Sequence, residues 1–201
     1  MRGVPLSLWG KEMIYLKWAA MILPSFFMAI VGRLLAPILP FFVQEDGFLP
    51  SWLSWFQTPD NPCDGDSGHW ERHPGTGKWD TYCRRVSWFW RNVCYGFDID
   101  ILGVEVRDTD TLVFEGDRDV GAKPPRSGWQ WKKIERDGKT IAFQLYGVRQ
   151  YRRWPQRCLR ANLGWKLFDF SDSVSDQVVQ WTAMVNPFFG TNVDEYVEKE
   201  E

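Results

Sequence analysis

Hydrophobic and polar positions alternate with three different periods along this chain. From Met13 to Val43 the residues read MIYLKWAAMILPSFFMAIVGRLLAPILPFFV, apolar on every side and charged only at Lys17 and Arg33. Residues 79–93, WDTYCRRVSWFWRNV, place Trp79, Tyr82, Cys83, Val86, Phe89, Trp90 and Val93 at steps of three and four. That spacing predicts a helix with an apolar core stripe, leaving Arg84, Arg85 and Arg91 largely off it. Beyond residue 100 the period shortens to two. It predicts strands at 101–106, 111–114, 128–136, 140–152, 157–168 and 177–186. Asp137-Gly138 tolerates positive φ and predicts a hairpin between the third and fourth of these strands. The resulting class is α+β: an N-terminal apolar helical segment, and a Trp-rich helix packed on an antiparallel meander covered on one face.

Domain divisions follow from the same pattern. Residues 1–48 form the apolar segment, 49–78 a Trp- and Asp-rich loop region, 79–190 the α+β domain, and 191–201 an acidic tail. A helix crossing about 30 Å of hydrocarbon needs roughly 20 apolar residues. The uncharged run from Trp18 to Gly32 is shorter than that. Extending it takes in Arg33, which costs roughly 2.5–3.5 kcal/mol at mid-membrane, while Pro24, Pro37 and Pro40 interrupt the helix. A kinked transmembrane or re-entrant anchor leads, ahead of a helix lying in the interface or docked on a protein, and of a soluble core helix. Arg2, Lys11 and Lys17 precede the segment and Glu45 and Asp46 follow it, so a single span runs from inside to outside. Trp18, Trp52 and Trp55 flank it and suit headgroup depth, where an indole is buried but its N–H stays wet.

Composition adds two facts. With 201 residues, 44% hydrophobic and 25% charged, the chain can bury a core and is not disordered. Thirteen tryptophans are an excess, and four cysteines are too few for a disulfide scaffold. The formal charge of −2 hides segregation. Residues 97–120 carry two basic against eight acidic groups, whereas residues 121–170 carry twelve against three. Within the basic block, Arg149, Arg152, Arg153 and Arg157 interleave with Tyr151 and Trp154. They form a possible contact to an anionic partner, with lipid ahead of nucleic acid and a solvated hairpin tip as the plain alternative.

Candidate chemistry is sparse. The turn-rich loop 59–77 holds Asp64, Asp66, His69 and His73, weak candidates for a metal site, and Cys63 and Cys83 lie on either side of the two histidines. A paired C-x2-C half-site is missing. No nucleophile elbow, P-loop, dinucleotide fingerprint or HExxH occurs. No catalytic residue, cofactor or small-molecule substrate is inferred, and the balance is against an enzyme.

Four ordered blocks, LAPILPFFV (35–43), LPSWLSWFQTPDNPCDGD (49–66), WRNVCYGFD (90–98) and LRANLGWKL (159–167), resemble an uncharacterised protein family of tailed bacteriophages and prophages. Cys63, Val93 and Cys94 depart from that pattern, where non-thiol residues and a proline are usual. The resemblance implies a viral origin and no activity. The expected function is that of a membrane-associated accessory protein acting by binding at the host envelope, at the inner membrane or its cytoplasmic face. The alternatives are a virion structural component, with the apolar segment buried on another subunit, and a metal-dependent hydrolase or nuclease.

Overall fold

The computed structural model describes residues 7–120 and 126–190, with side chains from residue 13 onward. The acidic tail 191–201 lies outside the described residues. The class is α+β, and the chain divides into two compact units, residues 1–19 with 104–201, and residues 20–103. These limits differ from the divisions at 48 and 78 because the Trp-rich helix packs with the residues that precede it.

The first unit contains α1 (Ser7–Ala20), β1 (Val104–Val106), β2 (Thr111–Gly116), β3 (Gly128–Arg136), β4 (Lys139–Tyr151), β5 (Trp154–Trp165), β6 (Gln177–Val179) and β7 (Trp181–Gly190). Five strands form an antiparallel sheet in the order β2-β3-β4-β5-β7, and β1 pairs with β6. The expected strand 177–186 therefore divides at Gln180, whose carbonyl accepts from the Lys166 N–H at 2.8 Å. The expected strand 101–106 shortens to β1. At the β3–β4 turn Asp137 and Gly138 both take positive φ, 50° and 73°, as the hairpin signal requires.

Direct cross-strand partners share a sheet face. One face carries Phe143, Leu163, Trp165 and Trp181, through the pairs Leu163↔Ala183 and Trp165↔Trp181. Its cover comes from α1. The Tyr15 ring lies 4.8 Å from Phe143, Trp18 lies 5.8 Å from Phe143, and the Trp18 indole N–H donates to the Thr182 carbonyl at 3.0 Å. The opposite face is also closed, contrary to expectation. Gln144 and Asn162 are fully buried there because their carboxamides satisfy each other at 2.8 Å and Gln144 Oε1 accepts the Leu167 N–H. Lys132 is buried beside them, donating to the Leu167 and Phe170 carbonyls, and desolvation pulls its ammonium below the usual lysine range. Asp110 is buried and held by two 2.7 Å bonds from Arg136. That guanidinium lowers its carboxyl pKa.

The second unit contains α2 (Ile22–Leu35), α3 (Ser67–Arg72), α4 (Lys78–Arg91) and α5 (Tyr95–Asp100), with 3-10 turns at Leu39–Phe42 and Ser51–Phe56. Its core is Ala36, Leu39, Leu49, Leu53, Cys63, Trp88 and Phe89. Gln57 ties the specific Trp-Phe-Gln-Thr block into place. Its side-chain oxygen accepts the Leu49 N–H at 2.6 Å, and its carbonyl accepts the Gly96 N–H at 2.8 Å. Helix α4 forms where the period predicted it, but with a different face inward. Trp79 and Trp90 are exposed, whereas Arg84 and Trp88 are buried. Arg84 is accepted inside because the His73 and Gly75 carbonyls take its N–H groups at 2.6 Å each and its guanidinium lies 3.6 Å from the Trp70 ring centroid.

Two glycines separate backbone conformation from crowding. Gly164 has φ +111° and a Cβ there would strike the Phe143 carbonyl, while Gly138 has φ +73° and open space around it. Gly138→Ala is expected to cost about 1–2 kcal/mol of unfolding free energy, and Gly164→Ala roughly 3 kcal/mol or more because the β4 backbone must also move. Chemical denaturation of both variants checks this; equal losses would contradict the register of β4 against β5.

Candidate functional site

Helix α2 has a covered face and a bare one. Ser25, Met28, Gly32 and Ala36 recur at three and four residue steps, and together they form the docked stripe. The Ser25 hydroxyl donates to Asp98 at 3.0 Å, and the Cys94 thiol donates to the Met28 carbonyl at 3.1 Å. Gly32 is buried so closely that a Cβ would lie 2.5 Å from Cys94 Sγ and 2.6 Å from Val93 Cγ2. Cys94 itself sits at φ 57°, which lets the chain turn into α5 directly beneath α2. Burial pushes its thiol up to about 12.

Among the described residues the opposite stripe is largely uncovered. Leu23 is 75% exposed, Phe27 64%, Leu34 72% and Phe41 76%, with Phe26, Ile30 and Ile38 exposed between them. Helical residues Met13–Leu35 are long and apolar enough to cross a membrane by length and composition, and only 6% of their most apolar window is buried. The bare surface continues through exposed aromatics. Phe41 lies 5.6 Å from Tyr82, Tyr82 stacks on Trp79 at 5.7 Å, and Phe42 meets Trp52 edge-on at 5.7 Å. Arg33 is exposed on this helix and, among the described residues, its guanidinium bonds to the Ala29 carbonyl of its own turn. Contiguous apolar surface of this kind is rare on soluble monomers.

The expected interfacial tryptophans separate. Trp52 and Trp55 are exposed in this unit. Trp18 is drawn onto the sheet of the first unit, with its N–H engaged by Thr182.

The loop expected around the metal candidates folds instead into α3, with His69 fully buried. Its ring edge faces Trp88 at 5.4 Å and its Nδ1 lies 2.6 Å from Asp66. Asp66 also meets Arg91 at 2.7 Å, and Asp64 meets Arg85 at 2.6 Å. Burial alone would raise the Asp66 pKa, but the hydrogen bond to His69 and the pair with Arg91 outweigh it and hold the carboxyl at about 2. His73 contributes its backbone carbonyl to Arg84. Asp66 and His69 are thus brought together, while Asp64 is turned to an arginine. Among the described residues no three His, Cys, Asp or Glu side chains converge as they would around a metal ion. The arrangement fastens α3 to α4 by charge and ring contacts.

In the first unit, Arg149, Arg152, Arg153 and Arg157 are all exposed around the β4–β5 turn. Pairing runs to Tyr151↔Trp154, so Arg152 and Arg153 alone make the turn.

A family model described as a family of unknown function, DUF7338, matches residues 11–192. The chain belongs to DUF7338. Comparison with curated proteins and with solved structures gives no match. The family assignment spans both units of this DUF7338 chain and leaves its activity open. What sequence reading missed in this DUF7338 chain is which face of residues 22–41 is bare. The signal was present as small residues at 25, 29, 32 and 36, the positions where backbones approach closely.

Asp66 offers a test of the polar network. Its carboxylate pKa is lowered from 3.8 to about 2, so its stabilising contribution is present above pH 3.8 and lost as pH falls through about 2. Asp66→Asn is expected to lower the thermal midpoint at neutral pH, with the gap to the wild type closing between pH 4 and 2. Circular dichroism melts across that range check it.

Proposed function

We propose that this protein works at a membrane, seated on one leaflet through the bare stripe of α2 and the aromatics beside it, and acts by binding. The observation that carries this reading is the stripe from Leu23 to Phe41, apolar and uncovered while the other side of the same helix is docked. Lipid is the occupant that suits it, because the patch ends in exposed tryptophans, Trp52 and Trp79, which favour headgroup depth. Arg33, lacking a carboxylate partner among the described residues, suits phosphate at the same depth. Seating in one leaflet fits better than crossing. A crossing α2 would carry Asp98 and its Ser25 partner into hydrocarbon, where an ionisable group is expensive. The sequence blocks that resemble a phage family favour the cytoplasmic face of the host inner membrane as the surface, and an accessory protein of a phage as the role.

Flotation of the full chain with phosphatidylcholine vesicles tests the proposal. The wild type is expected to float without detergent. Leu23→Ser and Phe27→Ser are each expected to weaken binding about tenfold or more, since burying such a side chain contributes roughly 1.5–3 kcal/mol. Wild-type protein that stays behind as a discrete oligomer would instead give the stripe to a second copy, as in a virion component.

A further inference from the structure

Four arginines of the first unit crowd around the single turn between β4 and β5. Arg107, Arg118, Arg126 and Arg136 each pair with a carboxylate. Among the described residues Arg149, Arg152, Arg153 and Arg157 pair with none, and Arg157 donates only to the Phe188 carbonyl at 3.0 Å. Every side chain from Arg152 to Arg157 is exposed, and Trp154, 61% exposed, stands among them. A strand pair closed by a two-residue turn therefore projects guanidinium groups around a bare indole.

We infer that this tip binds the phosphate headgroups of anionic phospholipids. The inference rests on the proposed membrane reading and deepens it by naming the lipid class. Guanidinium groups fork onto phosphate oxygens, and Trp154 suits the boundary between headgroup and chain. A nucleic-acid strand fits less well. Reading bases by stacking requires successive open ring faces along a charged groove. Here the Tyr151 and Trp154 rings stand edge to face, 6.4 Å apart at 87°, and the charge sits on a projecting turn. Lipids diffuse laterally and can gather around such a point, whereas a polymer needs a track.

Full-length chain is compared on vesicles of phosphatidylcholine alone and of phosphatidylcholine mixed with phosphatidylglycerol. The wild type is expected to prefer the anionic vesicles, with the preference erased by salt. Arg152→Gln with Arg153→Gln is expected to lower anionic binding about thirtyfold and leave neutral binding unchanged, with an unaltered thermal midpoint. Arg152→Lys with Arg153→Lys is expected to keep most of the preference. Equal wild-type binding to both vesicles, or a glutamine pair that keeps the preference, overturns the tip while leaving the apolar stripe standing. A short single-stranded oligonucleotide that binds the wild type more tightly than anionic vesicles, and is lost in the same glutamine pair, also overturns it. Binding to neither vesicle overturns the membrane reading and this inference with it.

Discussion

Helix α2 is apolar around its whole circumference, and the protein covers only half of it. That imbalance organises the second unit. Water tolerates neither side of the helix, so each side needs its own cover. The docked side is built for close approach: Gly32 admits Cys94 and Val93 within contact distance, and the left-handed backbone at Cys94 turns α5 into position below it. The 3-10 turns, Leu39 and Leu53 with Trp88 and Phe89 from α4, complete this core. Helices α4 and α5 both pack against that side of α2. Leu23, Phe27, Leu34 and Phe41 are exposed on the other side.

Charged side chains in both units are engaged in holding the fold. Arg84 gathers two carbonyls and a tryptophan face in the interior, and Asp66 joins His69 to Arg91. Arg136 clamps Asp110 against the sheet in the first unit. Residue types that suggest chemistry in the sequence thereby become structural. Buried cations without a carboxylate, Arg84 and Lys132, are accommodated by backbone carbonyls that accept their N–H groups. Against this economy of pairing, the bare arginines of the β4–β5 turn stand apart.

Strands were the most legible part of the sequence. Residues 128–136 form β3 as their alternation indicates, and Asp137-Gly138 turns the chain as its conformational tolerance requires. Periodicity also located α4 but assigned its faces wrongly, because residue type was taken for burial. Trp79 and Trp90 were counted as core, and Arg84 as surface. The error has a physical origin: a guanidinium that meets carbonyls and a ring is stable inside, so burial does not follow residue type alone. Gln144 and Asn162 lie on the sheet face expected to be open, and it is closed with their carboxamides bonded to each other. Helix α3 was hidden among turn-forming residues, and the ring of Trp70 that receives Arg84 gave no signal in spacing. Apolar character from 13 to 43 was plain, yet its division into docked and bare faces needed α4 and α5 in place.

The central claim is that one face of α2 meets lipid while the other stays docked. Nitroxide scanning along residues 22–35 on vesicles measures it directly, using cysteine variants in a Cys83→Ser background; Cys63, Cys94 and Cys158 are buried, and burial raises all three thiols. The account predicts that oxygen relaxes labels at positions 23, 27, 30 and 34 far more than a water-soluble nickel complex does, whereas labels at 25 and 29 meet little of either. Accessibility should therefore oscillate with the helical period. Oxygen access that is uniform around the helix would contradict the account, because it would place α2 wholly in hydrocarbon and detached from the domain that docks it.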